Sequence, residues 1–284
     1  MCVEINLHPY AGHCPTENDS DKRTRVSAFI IAFNEEDRIS RALASLHGLV
    51  DEIIVVDSGS TDRTREIAIE HGARVVINSP FPGYGPQKRF AEDLCQHTWV
   101  LNIDADEELT QELRASINSA VLQGQPAVGA FKTKIVEILP GEVAPPPFSY
   151  AVSPIRLYRK DYYRYSPSLV HDRIEFPQSA KAGDLNGIIL HRSIRSFSEQ
   201  LEKLSRYSAL QAMDAKLSDR MVPIWRIFFE FPISFIKIYI LRRYFMRGAP
   251  GFLASMNYAI FRFLRIMRMH ESQRASKHTK HHSC

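Results

Sequence analysis

WVLNIDADEEL, residues 99–109, decides how this chain is read. A strand-like run, Trp99-Val100-Leu101-Asn102-Ile103, passes directly into Asp104-Ala105-Asp106-Glu107-Glu108. A buried carboxylate without a partner costs several kcal/mol. Four acids in five positions at the end of an apolar strand therefore need a counter-charge. A divalent cation shared with a phosphorylated ligand is one, because hard cations take carboxylate oxygens and substrate phosphates together. A helix N-terminus is another, since acids there favour the macrodipole. The helix explanation suits Glu107 and Glu108, which lead into a helix-like segment. It accounts less well for Asp104 and Asp106.

Upstream of this stretch the pattern alternates. Val26–Ala32 is a nearly continuous apolar run, as expected of a parallel strand covered on both faces. Residues 35–46 follow with helical spacing at Ile39, Leu43 and Leu46, and residues 51–56 form a second buried strand. Asp57-Ser58-Gly59-Ser60-Thr61-Asp62 leads into a helix over 62–71 that stops at Gly72. A third strand covers 74–77, a Gly/Pro-rich loop covers 80–86, and a helix over 87–97 returns to the strand at 98–103. This β-α-β-α-β-α-β order predicts a parallel, doubly wound α/β sheet. Such sheets bind ligands beyond the carboxyl ends of their strands. Polar clusters stand there: Asn34-Glu35-Glu36, Asp57-Ser58-Gly59-Ser60 and Asp104-Ala105-Asp106. Neither GxGxxG nor GxxxxGK[ST] is present, which argues against a dinucleotide or P-loop site.

The second half is less regular. Strands are expected over 128–138, 155–159, 163–171 and 187–191, with antiparallel pairing, around a loop at 140–147. Phe197–Leu217 has clear helical spacing. The expected organisation is a flexible tail over 1–25, a ligand-binding half over 26–125 and a second half of the same domain over 126–218. Helices over 219–270 and a polar basic tail over 271–284 follow, with His278, His281 and His282 in a disordered end.

Composition narrows the class. The chain has 284 residues, 44% of them hydrophobic, enough for one large core or two small ones. Cys2, Cys14, Cys95 and Cys284 show no CxxC spacing, so neither a disulfide framework nor a zinc site is expected. Residues 1–25 hold no apolar run of the kind a secretory leader needs. The net charge is +4, yet from Arg220 onward twelve Lys/Arg face only Glu230 and Glu271. That asymmetry points to an anionic partner. Residues 225–245 and 249–269 are apolar and aromatic, with Arg262, Arg265 and Arg268 at three-residue spacing and Pro232 placed to kink or divide a helix. Charges interrupt both stretches, which disfavours a spanning helix. An amphipathic helical pair on an anionic membrane surface fits best, and packing on a second subunit is the alternative. The region is too apolar for a solvated nucleic-acid surface.

Three segments in order, IIAFNEEDRISRALASL, DEIIVVDSGSTDRT and WVLNIDADEEL, resemble the start of the family 2 glycosyltransferases. The resemblance covers about residues 26–113. GYGPQKRFA (residues 83–91) and RRYFMRGAPGF (residues 242–252) make it most similar to the lipopolysaccharide inner-core β-1,4-glucosyltransferase branch. The resemblance implies a GT-A fold, a UDP-sugar donor and an Asp-X-Asp motif working with Mg2+ or Mn2+. Carried over, Glu35 and Asp57 contact the base, with Ser58 nearby. Asp104 binds the ribose and, directly or through water, the metal; Asp106 is the main metal ligand. His191, ending an apolar run, stands where such enzymes often place a further metal ligand, although a buried histidine bonded to a carbonyl would look the same. The chain departs from the family in having Ile31-Ala32-Phe33-Asn34 before its first acids and Ser58 after Asp57.

Glycosyl transfer needs charge neutralised on the leaving diphosphate and a base for the acceptor hydroxyl. Lys88 or Arg89 can supply positive charge near the phosphates, unless both sit on an exposed helix face. Asp172 is the preferred base, with His171 as alternative or orienting group; Asp161 and Glu175 are weaker candidates, and Asp184 is expected in a turn. The expected activity is inverting transfer of a sugar, glucose by resemblance, to a membrane glycolipid at the inner face of the cell membrane. A polyprenyl-phosphate sugar synthase would share the first half but need no base. A non-catalytic membrane-associated nucleotide-sugar-binding protein would have no reason to keep both Asp104 and Asp106.

Overall fold

The structure is a computed structural model that describes residues 2–5, 23–123, 126–168, 173–177, 180–217 and 223–281. Two compact units emerge, residues 1–136 with 151–191, and residues 137–150 with 192–284.

The first unit begins with β1 (Cys2–Ile5), β2 (Val26–Ala32), α1 (Ile39–Leu46), β3 (Glu52–Asp57), α2 (Thr64–Glu70), β4 (Arg74–Asn78), α3 (Tyr84–Leu94) and β5 (Trp99–Asn102). It continues through β6 (Glu107–Leu109), α4 (Gln111–Ile117), β7 (Ala130–Glu137), β8 (Ala151–Val152), β9 (Ile155–Arg159), β10 (Arg164–Tyr165), β11 (Ile174–Glu175) and β12 (Ala182–His191). The main sheet runs β1-β4-β3-β2-β5-β9-β7-β12-β6, with β8 beside β7. Strands β2 to β5 are mutually parallel, as the alternation predicts. From β9 onward the identified pairings are antiparallel. The carboxyl ends of four parallel strands thus share one edge of the sheet.

Alternation along β2 explains the layering, because successive side chains leave opposite faces. Val26, Ala28 and Ile30 pack with Ile39, Leu43 and Leu46 of α1 and with Leu113 and Ile117 of α4. Phe29 turns the other way, toward Ile54, Val56, Val100 and Ala91 of α3. Both faces are dry, which is why the strands read as continuous apolar runs.

Several expectations need correction. Of the segment 1–25, expected as a flexible tail, Cys2–Ile5 pairs antiparallel with β4, covering backbone groups an edge strand would leave open, and residues 6–22 lie outside the described residues. Glu107 and Glu108 do not start a helix. They lie in β6, and α4 begins after Thr110, whose side chain accepts the Leu113 N–H. Helix α3 starts at Tyr84, after Gly83 turns the chain at a φ of 109°, three residues earlier than expected. Asp184 lies within β12 and not in a turn.

The second unit holds α5 (Phe197–Leu217), α6 (Trp225–Ile236) and α7 (Gly248–His281). Helix α5 has the bounds its periodicity predicts and packs against α7, so it groups with the C-terminal helices rather than with the sheet. Pro232 sits inside α6 without dividing it; the chain loosens only at the wide turn Lys237–Leu241. Of the basic end expected to be disordered, residues 271–281 belong to α7, while residues 282–284, His282 among them, lie outside the described residues. Leu139, Ile194, Ile238, Tyr244 and Ala254 form this unit's core. The RRYFMRGAPGF segment makes the entry to α7. A Cβ on Gly251 would stand 1.9 Å from the Tyr244 carbonyl oxygen, so only glycine fits. Arg247 is buried against Glu142 at 3.2 Å, and Arg242 lies over the Tyr150 ring.

Candidate functional site

The loops after β2 and β3 latch onto each other. Asn34 takes a left-handed backbone, φ 55°, and its side-chain oxygen accepts the Thr61 N–H at 2.9 Å. The Asn34 N–H donates to the Ser60 hydroxyl, the Glu35 N–H to Thr64 Oγ1 at 2.8 Å, and the Glu36 N–H to Asp62. Asp57 is fully buried and accepts from the Gly59 and Ser60 N–H groups and from the Ser60 hydroxyl. Three of its roughly four lone-pair positions are therefore spent on shaping the loop. Ser58 accepts from Gln87, whose own oxygen accepts from Asn78, tying the rim to α3 and β4.

The acidic stretch is held by a buried charge cluster. Lys88 is 2% exposed and sits 2.9 Å from Asp104, above the Tyr165 ring. It is therefore not on an exposed helix face. A buried ammonium is tolerable only when paired, and Asp104 is that pair. Arg89 points elsewhere, donating to the Tyr165 carbonyl.

Arg156 on β9 is the centre of the cluster. It donates to Asn102 at 2.6 Å, to Asp104 at 3.0 Å and to Glu107 at 2.6 Å. The β5–β9 register, with Leu101 opposite Leu157, brings Arg156 level with Asn102. Tyr165 donates its hydroxyl to the same Asn102 oxygen. Glu107 also accepts the Asp104 N–H, which fixes the turn between β5 and β6. Burial opposes charge on Asp104, but Lys88 and Arg156 outweigh it and hold the carboxyl well below the usual carboxylate range. Burial works against the Arg156 charge too, yet Glu107 and Asp104 push its pKa above the ordinary value.

Asp106 has different company. In the β12–β6 register His191 stands opposite Glu107, one residue from Asp106. The His191 Nε2 lies 3.3 Å from one Asp106 oxygen, and Arg38 lies 3.7 Å from the other. Burial again opposes ionisation, and the His191 hydrogen bond and charge overcome it, keeping the Asp106 carboxyl low. Arg38 in turn is held by Glu35. Asp106 offers the carboxylate oxygen that Mn2+ and Mg2+ both take, and the His191 imidazole beside it favours the transition metal Mn2+ of the two. Two protein donors fit a cation completed by substrate oxygens, not a closed structural site. Asp104 fits such a role less well, since each of its oxygens already faces a cation. Among the described residues no group of three or more His, Cys, Asp and Glu gathers to hold a metal.

Asp172 and His171 lie outside the described residues. Their flanks are fixed: the Ser166 N–H donates to the Arg173 carbonyl at 2.8 Å, and Arg164 pairs with Glu92 of α3. A Cβ on Gly85 would come within 2.2 Å of the Ser166 carbonyl oxygen and 2.4 Å of that of Ser168. The second glycine of GYGPQKRFA therefore lets Ser166 and Ser168 lie directly on α3, the helix that carries Lys88. Of the weaker bases, Asp161 is paired with Arg159, and Glu175 is exposed on β11.

Sequence reading missed Arg38, Asn102, Arg156 and Tyr165. The visible signal was a polar residue inside an apolar strand, as in Trp99-Val100-Leu101-Asn102 and Ile155-Arg156-Leu157-Tyr158.

The sequence profile described as "Glycosyl transferase family 2" matches residues 27–172, just over half the chain. The chain belongs to glycosyltransferase family 2. Its mixed α/β sheet, parallel in the first half, is the GT-A arrangement that the resemblance implied. An uncharacterized glycosyltransferase of Rickettsia typhi is 38% identical over 255 residues, 87% of each chain. The lipopolysaccharide core biosynthesis glycosyltransferase LpsC of Rhizobium meliloti is 31% identical over 261 residues, 87% of this chain and 92% of that one. Among solved structures, glucosyl-3-phosphoglycerate synthase of Mycobacterium tuberculosis with Mn2+, UDP-glucose and phosphoglyceric acid is 29% identical. That match covers 44% of this family 2 chain and 50% of the other, at a TM-score of 0.35.

Proposed function

We propose that the chain is an inverting, metal-dependent glycosyltransferase. It moves a sugar, glucose by resemblance, from a UDP-sugar to a hydroxyl of a membrane glycolipid such as lipopolysaccharide core. The observation that carries this is the pairing of Asp106 with His191 beside the locked Asp104–Lys88–Arg156 cluster, at the carboxyl ends of the parallel strands. The likeness to LpsC, named for lipopolysaccharide core biosynthesis, supports the acceptor class.

Asp106 and His191 would hold Mg2+ or Mn2+. A cation bound there supplies charge neutralisation for the departing diphosphate. The latched rim of Glu35, Asp57 and Ser58 receives the base, and Asp104, kept ionised by Lys88 and Arg156, accepts from ribose hydroxyls. Lys88, beside Asp104, would add positive charge for the leaving diphosphate. Asp172, oriented by His171, takes the proton of the acceptor hydroxyl. The acceptor oxygen then forms its bond to the anomeric carbon from the face opposite UDP. The bond from that carbon to the phosphate oxygen breaks, and its electron pair leaves with UDP.

The helical unit supplies attachment to the inner face of the cell membrane. Trp225, Phe228, Phe229, Ile233, Ile236, Ile240 and Leu241 are exposed on or just after α6, in a unit rich in arginine. Among the described residues no helix is long and apolar enough to cross a membrane, so an interfacial seat is the form such attachment would take.

The test is UDP release by purified protein over a panel of UDP-sugars, with and without core lipid and divalent ions. Acceptor-dependent release that needs the ion and disappears in Asp106→Ala is expected. Equal release by Asp106→Ala would overturn the assignment.

A further inference from the structure

The helical unit contains a cavity of about 450 Å³ between α6 and α7. Arg226, Lys237 and Arg262 bring three cations to its wall, and Glu230 brings the one carboxylate. Glu230 is already shared: Arg226 holds one of its oxygens at 2.6 Å and Arg262 the other at 2.6 Å. Lys237 is exposed and makes no ion pair among the described residues. Trp225 and Tyr258 line the same cavity, so cationic donors and aromatic faces stand side by side. An excess of guanidinium and ammonium donors around a cavity is the chemistry that recognises phosphate oxygens.

We propose that this cavity binds a phosphate group, and that the phosphate is carried by an anionic lipid. Arg226 and Arg262, splinted by Glu230, present their remaining N–H groups in a fixed fork. Lys237 closes the site as a mobile point charge, and Trp225, 55% exposed, lies against the glycerol and upper acyl region. The lipid as source of the phosphate rests on the proposed membrane attachment; the phosphate site itself does not.

The full chain is floated with phosphatidylcholine vesicles containing either phosphatidic acid or oleic acid, matched in surface charge. Wild type is expected to prefer the phosphate lipid. Lys237→Gln, which leaves the Glu230 clamp intact, is expected to weaken phosphatidic acid binding by about fivefold, the worth of one basic residue near an anionic surface. Its binding to oleic acid vesicles should fall less. Combining it with Arg226→Gln should abolish the preference. Phe228→Ser with Phe229→Ser should weaken both vesicle types alike. Equal binding of wild type to the two vesicle types would overturn the site. If wild type floats with neither, thermal stability is read with glycerol 1-phosphate: a rise in wild type that Lys237→Gln lacks would keep a phosphate site but overturn its lipid source. Absence of any rise would overturn both.

Discussion

Arg156 in the sheet unit and Glu230 in the helical unit are electrostatic opposites. Arg156 is one cation serving Asp104 and Glu107; Glu230 is one carboxylate serving Arg226 and Arg262. Around Arg156 the acids Glu35, Asp104, Asp106 and Glu107 share Arg38, Lys88 and Arg156, and His191 beside Asp106 adds a cation only when protonated, so with a neutral imidazole the excess is acidic. Around Glu230 the excess is basic, since Lys237 joins the same pair of arginines at one cavity. A cluster left with an excess of one sign of charge is relieved when a ligand of the other sign completes it. The two imbalances therefore point to two ligands, a cation in the sheet unit and an anion in the helical unit.

The largest expected effect falls on Asp106, the acid at the proposed cation seat. Asp106→Ala should lower ion-dependent UDP release by at least about 100-fold, the scale of losing one electrostatic contribution to a transition state. Circular dichroism should stay unchanged. A matching loss of folded signal would mean that Asp106 serves structure, as Glu107 does. Arg156→Met comes next. It strands Asp104 and Glu107 without their shared guanidinium and should cost about 3–5 kcal/mol, read from denaturant unfolding. Adding Glu107→Gln should return part of it, and no recovery would break the picture of Arg156 as the hub.

Gly85→Ala tests the seat of the chain ahead of Asp172. The added Cβ meets backbone oxygens, so about 1–3 kcal/mol should be lost, with turnover falling more than donor affinity. Unchanged turnover would separate this contact from catalysis. Glu230→Gln should be mildest, about 1 kcal/mol. The folded Glu230 carboxyl lies below its ordinary range because Arg226 and Arg262 outweigh its burial. Its contribution is thus complete above the unfolded pKa, about 4.3, and is lost as pH falls through the lower folded value. The difference between wild type and Glu230→Gln in thermal unfolding should narrow on acidification, and a difference that widens would contradict the clamp.

What could be read in advance depended on distance along the chain. Strands β2, β3 and β5 and helix α5 follow local periodicity, and they form where the pattern puts them. The same local view failed at Glu107. Acids before a helix look like a helix start, whereas Glu107 is drawn into β6 by pairing with His191 and by Arg156, both far away in sequence. Lys88 could not be placed either, because its burial depends on α3 docking over Tyr165. Family resemblance marked Asp104, Asp106 and His191 without distinguishing their surroundings. Arg156, the residue that separates the two aspartates, belongs to an antiparallel half whose register no local pattern reveals.

That separation is the central claim: Asp106 with His191 is the cation seat, and Asp104 is held back by Lys88 and Arg156. Calorimetric titration of UDP, with and without Mn2+, into wild type, Asp104→Asn and Asp106→Asn tests it most directly. Mn2+ should strengthen UDP binding in wild type and still do so in Asp104→Asn, though from a weaker starting affinity, while Asp106→Asn should lose the Mn2+ dependence. A Mn2+ effect that survives in Asp106→Asn and vanishes in Asp104→Asn would contradict the account.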